Sequence, residues 1–474
     1  MENRFRKIRC VFIPVAFILI YYLSLRFVFP GYFKPFIPHH SDILDYPYDL
    51  SGNGISILKA RPVGLILTWF FGVFCSWKGI IVSAAVAIFF SLMLVSEIIS
   101  RETKNTISTW NLMLYMVLVL IAPTFYLNYS FDIYGTYAQL IGLFAVRLTY
   151  CEELSRKPIV RGTLFFSVML MSFLSKETYI VSFCFFYFAK AIIDHTERRW
   201  SLILLTLTAL AGIVSLLYGK ILGSTFVSSS LNESSPYLVN VSLTSLVKCF
   251  LYYAKGLWNI PFLAVLFIGA LSAFRSKDKG AITASMFCIS GVFAYAPYAV
   301  LPNKLVPHYV FVALPMLAGM VLLIRLPSAW QKKGLDRLFG TLFCAAVIFS
   351  YSKMNPAYSY QAMSGWIATE KGMEQSISSL DLVCDVVQPD DNVLVLGLEK
   401  YTENFYRASF AVEKYLPDNV HFDVYNVHPE FCGDISPKVT YISYYNNSDL
   451  NQYDKVLVYS EQGVRVLSCG SEEF

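Results

Sequence analysis

"RPVGLILTWFFGVFCSW" occupies residues 61–77, and whether it crosses a membrane decides how the rest of the chain is threaded. The stretch is apolar after Arg61-Pro62, but it is short for a layer of roughly 30 Å, which takes about 20 apolar residues. Longer runs lie on both sides. They predict spans near 10–29, 80–99, 108–127, 136–150, 162–176, 178–193, 201–222, 251–273, 281–301, 308–326 and 337–353. With the N-terminus cytoplasmic and 61–77 not counted as a crossing, the inside loops read "SRETKN", "EELSRKPIVRG", "HTERRW", "RSKDKG" and "QKKGLDR", all of them basic. The opposite loops, among them "NYSFDIYG" and "STFVSSSLNESSPYLVNVSLTS", hold almost no Lys or Arg. Cytoplasmic loops carry the excess of positive charge. Counting 61–77 as a crossing would invert that pattern downstream, so it is read as a helix lying along the membrane surface or dipping into it.

Composition points the same way. The 474 residues are 56% hydrophobic and 15% charged, with a mean hydropathy of +0.52; soluble domains carry about 25% charged residues. The net charge of +5 comes from short loop clusters, not one basic face, which argues against nucleic-acid binding. Seven of the ten cysteines fall in or beside apolar runs, where Cys behaves as a small hydrophobe, and no CxxC occurs. "MENRFRKIRCVFIPVAFILIYYLSLRFVF" starts like a signal peptide, but its apolar part is too long and lacks a small-residue cleavage site. It is expected to remain as the first span.

The fold class expected is an α-helical polytopic membrane protein of about 11 transmembrane helices with a small C-terminal α/β extracytoplasmic domain. Residues 1–354 form the membrane domain, with a first external loop at 30–79, and 355–474 the external one. "NVLVLGL" and "KVLVYS" read as buried strands, and "YTENFYRASFAVEKYL" as an amphipathic helix. Cys384, Cys432 and Cys469 lie in this part, and the sequence selects no disulfide among them.

Three outer-side clusters could carry chemistry. "HHSDILDYPYDLSGNG", 39–54, places Asp42, Asp45 and Asp49 in an otherwise apolar loop. The ordinary reading is a wet polar loop. The alternative is a site at the water–lipid boundary, where a carboxylate takes the proton of a sugar hydroxyl once burial raises its pKa from about 4. Asp42 and Asp45 share a face if the stretch is helical, with Tyr46 beside them; Asp49 lies beyond Pro47. "FLSKETY", 173–179, puts Lys176 and Glu177 at the outer end of the fifth span. Adjacent side chains cannot neutralise each other, so each needs another partner. Snorkelling to the interface is the ordinary reading; the alternative has Lys176 facing an anion and Glu177 orienting a hydroxyl or cation. "LPNKLVPHYVFVALP", 301–315, offers Lys304 and His308 to a phosphate, with Tyr309 adjacent. Arg61 and Lys59 are further anion-binding candidates. His39 and His40 with Asp42 form a weak metal candidate, because consecutive histidines seldom converge on one ion; no metal is expected. There is no P-loop, no GxGxxG after a strand and no serine-hydrolase elbow. No cofactor is expected, and an outer-face site must receive an activated group on a lipid.

These residues, in this order, resemble the GT-C superfamily of polytopic glycosyltransferases, which use polyprenyl-phosphate-linked sugars. The likeness rests on the acidic first external loop, the "ARPVG" helix start, the "LSKETY" motif ending an odd-numbered span and the late "PHYVFVALP" loop. It covers about residues 1–350. Separated aspartates stand where the family has a paired Asp-Glu, and His308 where many relatives have Arg. The resemblance implies a multi-pass inner-membrane enzyme with a polyprenyl-phosphate sugar donor and a glycan acceptor. Asp42 or Asp45 would be the base; Lys176, Arg61, Lys304 and His308 would hold the donor phosphate, and Glu177, Tyr46 and Tyr309 the substrate. Size and external tail look most like phage-type serotype-converting glucosyltransferases that decorate O-antigen from undecaprenyl-phosphate glucose. An O-antigen polymerase or ligase fits less well because the large external loops are Arg-poor. A lipid-linked saccharide transporter fits less well because the charges collect on one side and no repeat is visible.

Overall fold

The computed structural model describes residue 19 and residues 61–103, 107–122, 133–221, 239–255, 279–303, 305, 314–324, 335–353, 386–396, 420–425, 439–442, 447–460 and 463–468. These group into two compact units, the described residues up to 353 and those from 386 onward.

The first unit is helical. In chain order it holds α1 (Pro62–Glu102), α2 (Thr109–Leu120), α3 (Ile133–Leu148), α4 (Glu152–Ser155), α5 (Pro158–Ser175), α6 (Tyr179–Ile193), α7 (Arg198–Ile221), α8 (Leu243–Lys255), α9 (Lys279–Phe293), α10 (Ala296–Ala299), α11 (Leu314–Leu317), continued by a 3₁₀ turn at Ala318–Leu323, and α12 (Leu335–Lys353). Each predicted span from the second to the eleventh is helical in its described part, apart from short turns; the first lies outside the described residues except Leu19. Among the described residues, four stretches are long and apolar enough to cross a membrane: Val82–Glu102, Pro158–Ser175, Arg198–Ile221 and Lys279–Ala299. The first is the most enclosed, at 67% buried, against 28% and 33% for the second and third. Val82–Glu102 is therefore central, while α5 and α7 show exposed Leu, Ile and Val side chains suited to lipid, such as Leu210, Ile213 and Leu216.

Residues 61–77 are helical, as expected, and continuous with the span that follows: α1 runs unbroken for 41 residues from Pro62 to Glu102. Straight, it would be about 60 Å long, twice the hydrocarbon thickness. It is not straight. Gly64 packs on the Tyr134 ring, while Tyr137, one turn further along α3, meets both the Phe71 ring and the Ser83 hydroxyl. Gly64 and Ser83 would be about 28 Å apart on a straight helix, more than one α3 turn and a tyrosine's reach can span. So α1 bends around the start of α3, and Gly79 lies in the bending stretch. No proline interrupts the hydrogen-bonded ladder there, which is why the helix bends without ending.

Small and hydroxyl residues let the remaining helices approach, as helices without a hydrophobic drive between them require. Gly142 faces the Phe183 ring, and Gly212 faces Ile180. Ser290 donates to the Ser182 carbonyl oxygen at 2.8 Å, joining α9 to α6. Asn111 on α2 donates to the carbonyls of Leu322 and Ile324, and Tyr115 to that of Pro315. These bonds satisfy backbone acceptors of the short α11–3₁₀ segment that would otherwise be unpaired in an apolar surrounding.

The second unit is built on a five-stranded sheet: β1 (Asn392–Leu396), β2 (His421–Tyr425), β3 (Val439–Ile442), β4 (Lys455–Ser460) and β5 (Gly463–Ser468), in the order β3-β2-β1-β4-β5. The first four strands are parallel and β5 pairs antiparallel to β4. Both expected strands are present as β1 and β4, neighbours at the sheet's centre; the expected helix at 401–416 lies outside the described residues. Leu394, Tyr453 and Val456 form the core of one face, with Leu396, Leu450, Val458 and Leu467 packed around it. At the strand entrance Asp391 meets Lys455 at 2.7 Å, and the turn before it holds Asp390 at φ 70°, a left-handed conformation Asp tolerates better than most residues.

Candidate functional site

α5 stops at Ser175, and Lys176 is extended (φ −159°, ψ 117°), its N–H still donating to the Ser172 carbonyl. Lys176, Glu177 and Thr178 make the turn into α6, whose direction returns across the bundle. The helix break aims two adjacent charges at different surroundings, which a continuing helix would have fixed about 100° apart.

Glu177 is met by Arg61, 116 residues earlier. Arg61 Nε donates to Oε2 at 3.2 Å and Nη2 to Oε1 at 3.0 Å, a two-point fork with planar charge-assisted geometry. Arg61 sits at the N-cap of α1, followed by Pro62, a residue suited to the first helical position. The two side chains are 16% and 34% exposed. Burial alone would push the Glu177 carboxyl up. The Arg61 charge and its hydrogen bonds, helped by the Glu177 backbone and the Lys176 charge, outweigh burial and hold it below the ordinary carboxylate range. Lys176 is 6% exposed, so its charge lies in the protein and not in bulk water.

Close packing holds the pair in place. A Cβ on Gly64 would come within 2.9 Å of the Tyr134 ring and 3.2 Å of the Ser175 carbonyl oxygen, so the first turn of α1 lies against both the start of α3 and the end of α5. On the other side of the turn, Tyr298 of α10 donates its phenol to the Thr178 hydroxyl at 3.1 Å. Tyr298 in turn packs with Tyr253, which stacks on Tyr295 at 5.7 Å, all three buried. The Lys176–Thr178 turn is thus held by contacts from both α1 and α10.

Of the residues singled out from sequence, the structure brings together Arg61, Lys176 and Glu177. Asp42, Asp45, Asp49, Tyr46, His39, His40 and Lys59 lie outside the described residues, as do Lys304, His308 and Tyr309. Arg61 was expected to face phosphate, and Glu177 a substrate hydroxyl. In the structure two of the guanidinium's five donors go to Glu177, because a carboxylate 3 Å away outcompetes water for them. Gly64, Tyr134, Thr178 and Tyr298 were not anticipated. Gly64, Thr178 and Tyr298 lie close in sequence to Arg61, Glu177 or the 301–315 loop, whereas Tyr134 has no such neighbour, and their roles come from contacts between distant segments.

No family model and no curated protein matches the chain. Among solved structures, the chain is similar to the crystal structure of ArnT from Cupriavidus metallidurans in the apo state. The TM-score is 0.53 at 10% identity, covering 94% of each chain. With its apolar helical unit and small C-terminal sheet, the chain shares the fold of that ArnT structure.

Proposed function

We propose that the protein is a membrane glycosyltransferase that moves a hexose, glucose in the narrowest reading, from a polyprenyl-phosphate carrier to an extracytoplasmic glycan such as O-antigen or another surface polysaccharide. The observation that carries this reading is the ArnT-like fold over 94% of the chain, which supports use of a lipid-linked sugar donor. The clustering of Arg61, Lys176 and Glu177 at one end of the helical unit fits it, since a leaving phosphate needs fixed positive charge in a poorly hydrated place.

In this mechanism the acceptor hydroxyl oxygen attacks the anomeric carbon as Asp42 or Asp45 takes its proton. The bond from that carbon to the phosphate oxygen breaks, and polyprenyl phosphate leaves with the electron pair. One displacement inverts the anomeric centre. Lys176, Lys304 and His308 meet the departing phosphate. Arg61, oriented by Glu177, adds positive field without having to reorganise during the reaction. Tyr46 and Tyr309 line the sugar site.

The test is to incubate membranes containing the protein with labelled polyprenyl-phosphate sugars and surface polysaccharide, and to follow transfer by mass spectrometry. Transfer is expected to fall about 10²–10⁴-fold in Asp42→Asn/Asp45→Asn at unchanged expression, the usual worth of a general base. Full activity in that double variant overturns the base assignment. Failure of the wild type to consume any lipid-linked sugar overturns the reading itself.

A further inference from the structure

At the end of the bundle opposite Glu177, about 22 Å away along α6, the ends of α1, α3, α6 and α9 enclose a cavity of about 260 Å³, room for roughly nine waters at about 30 Å³ each. Its lining is apolar at Ile193, Ile282 and Met286 and carries the charges of Glu102, Lys190, Asp194 and Lys279. Ile192 and Ile193, at the end of α6, are 55% and 36% exposed, an apolar surface suited to lipid.

Two of the four charges are already used. The Lys190 ammonium lies 2.7 Å from Glu197 and 4.5 Å from the centre of the Tyr150 ring. One oxygen of Asp194 accepts both the backbone N–H and the hydroxyl of Thr196. Glu102 and Lys279 are different: both line the cavity, and neither makes a hydrogen bond or ion pair among the described residues. They are held near one another because α9 starts hard against the end of α1. A Cβ on Gly280 would come within 2.6 Å of the Thr103 Cβ and 2.9 Å of its backbone nitrogen. A half-buried carboxylate and a nearby exposed ammonium that do not touch leave a gap whose two ends want opposite charges, beside apolar side chains that want hydrocarbon.

We infer that this cavity is a binding site for a zwitterionic aminophospholipid. The primary ammonium of an ethanolamine head group donates to Glu102, its phosphate accepts from Lys279, and the first part of an acyl chain lies on Ile193, Ile282 and Met286. The lipid would tie α1, α6 and α9 together at the membrane face opposite the Arg61–Glu177 pair. The inference does not rest on the glycosyltransferase reading.

The class of lipid follows from donor chemistry. Phosphatidylethanolamine supplies both a phosphate and an ammonium that can donate. Phosphatidylcholine supplies the phosphate but no N–H, and phosphatidylglycerol supplies no cation. Native mass spectrometry of the purified full chain, titrated in detergent with the three dioleoyl lipids, should show phosphatidylethanolamine retained about tenfold more than the others, the usual worth of one charge-assisted hydrogen bond. Glu102→Gln should bring its retention down to that of phosphatidylcholine and leave the other two lipids unchanged. Lys279→Ala should weaken all three, and thermal midpoints without added lipid should confirm that both variants are folded. Equal retention of the three lipids by the wild type overturns the site, as does a preference that survives Glu102→Gln. Displacement of the lipid by an equal concentration of glycerophosphoethanolamine overturns its assignment to a lipid.

Discussion

Glu177→Gln tests whether the Arg61 fork organises the end of the helical unit that carries the Lys176–Thr178 turn. The substitution keeps the side chain's size and one acceptor oxygen but removes the charge that Arg61 meets at two points. Breaking a buried pair from one side costs about 3–5 kcal/mol, and an exposed pair contributes about 0–1 kcal/mol. With side chains 16% and 34% exposed, this pair falls between, at about 1–3 kcal/mol. Lys176, whose charge also acts on Glu177, loses the same carboxylate. Equilibrium unfolding in mixed micelles, run as a cycle with Arg61→Met and the double variant, should return a coupling of about 1–2 kcal/mol. The pH dependence has a definite sign. Glu177's folded pKa lies below its ordinary 4.5, so its contribution is present above about pH 4.5 and is lost as pH falls through the folded value. Wild type should therefore lose stability below about pH 4.5 more steeply than Glu177→Gln. A coupling under about 0.5 kcal/mol, or identical acid sensitivity in the two proteins, would refute the assignment.

Gly64→Ala introduces a methyl 3.2 Å from the Ser175 carbonyl oxygen and 2.9 Å from the Tyr134 ring. It should cost about 1–3 kcal/mol in the same unfolding assay, because the backbone oxygen cannot rotate away as a side chain would. Tyr298→Phe deletes one hydrogen bond to Thr178, worth about 0.5–1.5 kcal/mol, without changing the packing of the tyrosine cluster. If that bond positions the Lys176–Glu177 turn, sugar transfer should fall more than the stability loss explains, with KM for the lipid donor rising. In the sheet unit, Leu394→Ala empties the centre of a small core. It should cost about 2–5 kcal/mol, read as lost amide-exchange protection in β1 and β4 with the helical unit's protection unchanged.

What could be read from the residues in order was what depends on local composition. The apolar runs between 80 and 353 and the two Val-rich strands follow from the cost of moving polar groups out of water, which each short segment meets on its own. The same cost marked Arg61, Lys176 and Glu177 as charges needing an explanation. Only the tertiary structure decided that Arg61 and Glu177 explain each other, because their bond joins residues 116 positions apart. The 61–77 segment shows the boundary between the two kinds of information. Its length and its Arg-Pro start were visible, but its continuity with the following span depends on an unbroken backbone ladder, and its bend on where Tyr134 and Tyr137 of α3 offer contacts. Glu102 and Lys279 likewise lie 177 positions apart in chain order, and a cavity between them exists only because Gly280 lets α9 close on Thr103. Apolar pattern and charge are properties of a segment, whereas a partner is a property of the packing, so the helices were legible and the pairings were not.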